Sequence, residues 1–273
     1  MKTLYISDLD GTLLTPQQKM SDYSTKAVNQ FVEEGLNFTV ATARNLVSVA
    51  RIMKDVKLPL PIALMNGVLL YDMNSKNYVK VNKIPIKASK NMAQIFKEFN
   101  TTVFLYELDG DDFLTYHETY GSSEPKEYTR ERISRYKHHS FNHQPSFNTN
   151  FENAVYFTLQ DKEDNLRPIY NALKNEEGIN RTFYEDVYHP GLWYLEIHSN
   201  KASKYNAVEY LKQTYSFDNV ICFGDNLNDL PLFKAGNIKI AVENAHEELK
   251  NTADFICESN ENDGVVKWIN NCL

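Results

Sequence analysis

The sequence predicts an α/β fold, a parallel sheet with helices on both faces, interrupted by an inserted α+β domain. Three observations predict it. Short apolar runs alternate with helix-period segments at the start of the chain and again after residue 199. Between them the rhythm changes to paired runs separated by short turn signals. Acidic residues stand at the ends of two apolar runs, as Asp8-Leu9-Asp10-Gly11 and Gly224-Asp225. In a parallel sheet, ligands gather at the carboxyl ends of the strands.

The elements follow in order. Leu4–Ile6 is an apolar run that reads as a short buried strand and breaks at Gly11-Thr12. Ser21 or Asp22 caps a helix that buries Ala27, Val28, Phe31 and Val32 and stops at Gly35. Asn37–Thr42 is a second strand. A helix follows with Leu46, Val49, Ala50, Met53 and Val56 on one face. Ile62–Met65 and Val68–Tyr71 flank Asn66-Gly67, a hairpin signal. The inserted domain is set at 84–198, leaving 1–83 and 199–273 as the core. Within it the strands are Thr102–Tyr106, Phe113–His117, Ala154–Leu159, Arg181–Glu185 and Trp193–Ile197. One helix carries Met92, Ile95, Phe96 and Phe99, and another Leu166, Ile169, Tyr170 and Leu173. Glu124–His139 reads as a charged helix with a solvated face, and Phe141–Asn150 as a loop. Ser203 caps a helix burying Val208, Leu211 and Tyr215. Asn219–Phe223, Ile238–Val242 and Asp254–Cys257 are the closing strands, Asn244–Glu247 has the form of a capping box, and Asp263-Gly264 opens the last helix.

Composition bounds the function. The chain has 273 residues, 42% apolar and 12% aromatic, enough for a sizeable core and unlike a disordered chain. A net charge of -7 argues against a general nucleic-acid or anionic-membrane binder. It leaves room for a phosphorylated substrate, which needs only a local cationic pocket. Cys222, Cys257 and Cys272 form no C-x-x-C pair, so neither a disulfide framework nor a zinc site is expected and a reducing cytoplasm fits. No run approaches the ~20 apolar residues of a membrane span, and Asp8 interrupts the first run too early for a signal peptide. The sequence assigns no oligomeric state.

The candidate residues each carry a plainer reading. Asp8 and Asp10 lie two apart on a strand end and can point to one side, where two like charges call for a cation or a proton; Asp-Gly is also a common turn pair. Thr42-Ala43-Arg44 ends the second strand, where a hydroxyl and a guanidinium can bind phosphate oxygens; strand-end threonines and solvated arginines are ordinary. Asn66-Gly67 is at least a turn. Lys204 stands in the first turn of a helix, against the macrodipole. Exposed lysines there are tolerated, and Lys201 is the alternative.

The string Asp8-Leu9-Asp10-Gly11-Thr12-Leu13 resembles the first motif of the haloacid dehalogenase-like superfamily of phosphohydrolases, and the closest resemblance is to its Cof-type branch. Thr42-Ala43-Arg44 is similar to the second motif, with Ala43 in place of glycine. Asn66-Gly67 matches a pair near the substrate phosphate. Glu196-Ile197 through Ser203-Lys204 matches the stretch bearing the lysine, with Tyr205 in place of glycine, and Gly224-Asp225-x-x-Asn228-Asp229 matches the fourth motif completely. The resemblance spans nearly the whole chain and is weakest in the middle.

It implies a Rossmann-like core with an inserted α/β cap that sets specificity. It implies a Mg²⁺-dependent phosphatase acting on a small phosphorylated metabolite, with a sugar phosphate favoured. Asp8 is then the nucleophile that forms an aspartyl-phosphate. Asp10 is the acid and base, its side chain turned away from the metal. Lys204 offsets charge, and Thr42, Ala43, Arg44, Asn66, Lys204 and Asn228 contact substrate or phosphate. Mg²⁺ is held by Asp8, Asp225 and the Asp10 carbonyl, with Asp229 and Asn228 behind them. The alternatives are a phosphotransferase such as a hexose-phosphate mutase, or a non-catalytic sugar-phosphate sensor.

Overall fold

The computed structural model of the chain describes residues 1–120, 130–131, 134, 143–144, 146–186 and 189–273. It divides into two compact units, Met1–Val81 with Ala202–Leu273, and Asn82–Lys201.

The first unit is built on five parallel strands: Thr3–Ser7 (β1), Asn37–Val40 (β2), Asn219–Gly224 (β12), Ile238–Val242 (β13) and Phe255–Cys257 (β14). Their order is β14-β13-β12-β1-β2, with helices on both faces. Cover on both faces explains the near-continuous apolar runs. Leu4, Ile6, Phe38, Val40, Val220, Phe223, Ile240 and Val242 are fully buried, each worth about 1.5–3 kcal/mol of apolar burial. β1 lies between β2 and β12, in register Ser7↔Val40 and Ser7↔Phe223. The strand ends after Ser7, Val40 and Gly224 therefore share one rim, with Asp8 at its centre.

Ser21 caps the helix Asp22–Glu33 by accepting from the Ser24 amide, which decides between the two capping candidates. The helix after β2 is shorter than its apolar pattern suggests. It runs Leu46–Ile52 and is closed by Met53, so Val56 falls beyond it. Ile62–Leu64 (β3) and Leu69–Asp72 (β4) pair antiparallel around a short 3₁₀ turn, Met65–Gly67. Asn77–Val81 (β5) adds a third strand that the sequence reading passed over. Its half-exposed alternation is the weak signal that was there. Asn244 caps no helix. Its side chain donates to the Gly11 carbonyl and accepts from the Asn260 amide, and His246 caps the short helix Glu247–Lys250 instead.

The second unit holds a six-stranded sheet of Thr102–Asp109 (β6), Asp112–Thr119 (β7), His143–Gln144 (β8), Ala154–Asp161 (β9), Ile179–Glu185 (β10) and Trp193–Ser199 (β11), in the order β10-β11-β9-β6-β7-β8. All pairs are antiparallel except β7 with β8. Met92 and Phe96 on the helix Ile86–Glu98, with Leu166 and Ile169 on Glu163–Ala172, pack against Leu105, Phe157, Leu159 and Ile197. β8 corrects the expectation of an unbroken loop over 141–150. Most of the stretch expected as a charged helix, Glu124–His139, lies outside the described residues. Among the described residues, no helix is long and apolar enough to cross a membrane.

Gly67 adopts φ +90°, and a Cβ there would lie 2.3 Å from the Ser203 carbonyl. Gly67→Ala is expected to lower the stability of the chain by more than about 1 kcal/mol, read as a fall in the urea midpoint.

Candidate active site

The end of β1 turns sharply. The Asp8 amide donates to the Phe223 carbonyl at 3.0 Å, the last step of the β1–β12 ladder. The chain then closes a wide turn over Leu9–Leu13, in which the Leu14 amide donates to the Leu9 carbonyl at 2.8 Å. Gly11 has φ +75°, and a Cβ there would meet Asp225 Oδ2 at 2.3 Å. Glycine is what lets the two acidic loops touch. Thr12 Oγ1 seals the contact, donating to Asp225 Oδ1 at 2.9 Å.

The end of β12 is organised by Asp229. Its Oδ2 accepts from the backbone amides of Asp225 and Asn226, at 3.0 and 3.2 Å. Asn226 and Asp229 form a capping box over the turn Leu227–Asp229. Asp229 Oδ1 accepts from Lys204 Nζ at 2.6 Å, and the same ammonium donates to Asp8 Oδ1 at 2.5 Å. Lys204 is 1% exposed, Asp8 5% and Asp229 fully buried. Lys204 begins the helix Lys204–Tyr215, capped by the Ser203 hydroxyl on the Asn206 amide. Lys201 is exposed, so of the two lysines weighed, the buried one meets the acids. Tyr205 is the next helical residue, in a backbone state open to any side chain. Asn228 is exposed and joins none of these hydrogen bonds.

The end of β2 brings the third segment. Buried Thr42 accepts from the Arg44 amide through its hydroxyl at 3.1 Å. Its carbonyl accepts from Asn66, and the Arg44 carbonyl accepts from Met65, so the Met65–Gly67 turn is tied to this strand end. Asn66 takes φ 55°, and its Oδ1 is buried without a partner. Ala43 is exposed and has no positive φ, so alanine replaces the glycine of the resembled pattern without backbone strain. The Arg44 side chain does not reach for an open position. Its fork lies on Asp10, Nε to Oδ2 and Nη2 to Oδ1, both at 2.6 Å. Asp10 accordingly points toward Arg44, outside the acidic cluster.

That cluster is Asp8, Asp225 and Asp229, with one oxygen of each within 4.8 Å of the others. Burial pushes the Asp8 carboxyl well above the usual range against the pull of Lys204, and Asp229 and Asp225 push it further. Burial, then Asp229, raises Asp225 to about 7. Burial alone would lower the Lys204 ammonium, yet Asp229 and Asp8 outweigh it and raise it above the ordinary lysine value. Two carboxylates held against their own tendency to protonate make a good seat for a cation. Both Asp229 oxygens are already engaged. Asp8 Oδ2 and Asp225 Oδ2 accept no hydrogen bond among the described residues, so these two are the available donors. Hard oxygen donors without sulfur or imidazole suit Mg²⁺.

The profile of the haloacid dehalogenase-like hydrolase family matches residues 5–269. The chain belongs to that family. It is similar to the Escherichia coli (strain K12) pyridoxal phosphate phosphatase YbhA, 23% identical over 270 residues, covering 96% of this chain and 95% of that one. It is also similar to the Bacillus subtilis (strain 168) 5-amino-6-(5-phospho-D-ribitylamino)uracil phosphatase YwtE, 26% identical over 291 residues, covering 100% and 98%. The crystal structure of TM0651 from Thermotoga maritima shares the fold with a TM-score of 0.79, at 23% identity and covering 99% and 97% of the two chains. The family's catalytic chemistry is hydrolytic, so the acidic rim is the active-site candidate of a hydrolase.

Sequence reasoning missed three neighbours of the site. Thr12 stood in plain view after Gly11, and its contact with Asp225 needed the fold. Gln18 and Ser48, both partners of Arg44, carried no signal at all.

Two outcomes follow from the electrostatics. Lys204→Met leaves two buried carboxylates uncompensated and is expected to cost roughly 3–5 kcal/mol, measured by urea denaturation in EDTA. Asp8 and Asp225 hold protons more tightly folded than unfolded, so they favour the folded state least at high pH. The metal-free protein should lose stability as pH rises from about 4 through about 7. Adding Mg²⁺ should flatten that slope, as read from urea midpoints across the range.

Proposed function

We propose that the protein is a Mg²⁺-dependent phosphatase that hydrolyses a small phosphorylated metabolite through an aspartyl-phosphate. The observation that carries the reading is the buried Lys204 ammonium held between Asp8 and Asp229, with Asp225 beside them. A nucleophilic carboxylate, a buried cation and a seat for a divalent ion are the parts that phosphoryl transfer needs, because its catalysis is chiefly positioning and charge neutralisation. The activities named for the relatives support the same class.

Lys204 orients the Asp8 carboxylate through Oδ1, and the oxygen of Asp8 that does not hold the metal attacks phosphorus. The new bond joins Asp8 to the phosphoryl group as the bond from phosphorus to the ester oxygen breaks. Asp10 supplies the proton that the leaving oxygen takes. Water then attacks the aspartyl-phosphate and gives its proton to the Asp10 carboxylate, which releases phosphate and restores both acids. Thr42 and Asn66, joined by the hydrogen bond from the Asn66 amide to the Thr42 carbonyl, line the phosphate side. Asp8 and Asp225, with the Asp10 carbonyl, would hold Mg²⁺, which when bound neutralises charge on the transferring group. The substrate class favoured is the sugar phosphates, with specificity assigned to the Asn82–Lys201 unit as a cap.

Phosphate release from sugar, nucleotide and cofactor phosphate esters, with and without Mg²⁺, tests the reading. Turnover should require Mg²⁺. Asp8→Asn should abolish it, and Asp10→Asn should lower it by about 10²–10⁴-fold. Full activity in Asp8→Asn would exclude the covalent route.

A further inference from the structure

We propose that Arg44 is a positioning residue for Asp10 and not a ligand of the substrate phosphate, and that Gln18 and Ser48 aim it. The inference rests on the phosphatase reading above and adds the device that orients its acid.

The guanidinium is committed. Nε and Nη2 grip both oxygens of Asp10 at 2.6 Å each. Nη1 donates to Ser48 Oγ and Nη2 to Gln18 Oε1, both at 2.8 Å. Every nitrogen of the fork therefore faces an acceptor on the protein. To bind a phosphate bidentately, the same edge would first have to leave Asp10.

The supports are themselves braced. Ser48 lies in the first turn of its helix, where its amide is capped by Asn45 Oδ1 at 3.1 Å. Gln18 sits in a left-handed backbone state, φ 57°, closing a turn in which its amide donates to the Thr15 carbonyl at 2.8 Å. The Thr15 amide returns to Lys19 at 3.0 Å. Both fix the far side of the guanidinium, and the guanidinium fixes the plane of the carboxylate.

Exposure explains why a clamp is needed. The Asp10 side chain is 46% exposed and that of Arg44 only 17%. An acid that meets substrate must face solvent, and an exposed carboxylate rotates freely about its last bond. A planar fork removes that rotation and leaves the carboxylate open on its other side. The lone pairs of Asp10 that face away from the fork then hold the proton for the leaving oxygen at one defined position, which is where acid catalysis gains its rate.

The two roles for Arg44 separate by leaving group and by phosphate affinity. Wild type, Arg44→Gln and Gln18→Asn are compared on p-nitrophenyl phosphate, whose leaving group needs little proton, and on glycerol phosphate, whose leaving group needs one. Asparagine tolerates the left-handed backbone at position 18. Binding of inorganic phosphate is measured in parallel by calorimetry with Mg²⁺. Arg44→Gln is expected to lower kcat on glycerol phosphate by about 100-fold and on p-nitrophenyl phosphate by less than about 10-fold, with KM and phosphate affinity little changed. Gln18→Asn should show the same selectivity on a smaller scale, and it carries the test if Arg44→Gln does not fold. A uniform loss on both esters together with weakened phosphate binding would overturn the proposal and make Arg44 a phosphate ligand. Absence of turnover in wild type would instead count against the phosphatase reading, while the calorimetric comparison would still decide whether Arg44 binds phosphate.

Discussion

The buried ammonium of Lys204 is the constraint on which the rim depends. Taking a lysine fully out of water costs several kcal/mol unless its protons are met. Here Asp8 and Asp229 meet them from the ends of two adjacent strands. Asp229 uses its second oxygen on the amides of Asp225 and Asn226. One cation thus sets the nucleophile candidate, the β12 loop and, through that loop, Asp225. Each member would be unfavourable alone in so buried a place, so the cluster is stable only as a unit.

The approach of these loops is a backbone problem as much as an electrostatic one. Three glycines solve it. Gly11 admits Asp225, Gly67 admits the carbonyl of Ser203, and Gly224 admits the side chain of Asp229, where an added Cβ would lie 2.7 Å from the Asp229 Cβ. The rim brings together segments more than two hundred residues apart in the chain, as the contact of Thr12 with Asp225 shows.

Two acids two residues apart end in different surroundings. Asp8 is buried against a lysine, and Asp10 stands half in solvent against an arginine. An ammonium packs as a compact point charge among several acceptors, whereas a guanidinium grips one carboxylate in its plane. The two pairs match those chemistries. Arg44 was legible as a strand-end cation, and the anion it serves was not. Asn228 was legible as a motif residue and lies exposed, outside the hydrogen-bond network. The capping signal at Asn244 was misleading for a related reason: an asparagine before a helix can spend its side chain on a distant loop, as Asn244 does on Gly11 and Asn260.

By itself the sequence determined the alternation of strands and helices, the position of Asp8 at a strand end, and the residue types on the rim. Those follow from local periodicity, turn chemistry and motif spacing, which operate over a few residues. Only the tertiary structure decided that the Lys204 ammonium is buried between Asp8 and Asp229, that Asp229 spends both oxygens inside the protein, and that Arg44 turns to Asp10 with Gln18 and Ser48 behind it. Hydrogen bonds between side chains depend on which loops fold against one another. That is a property of strand order and of close approaches at Gly11 and Gly67, and no local pattern in the chain encodes it.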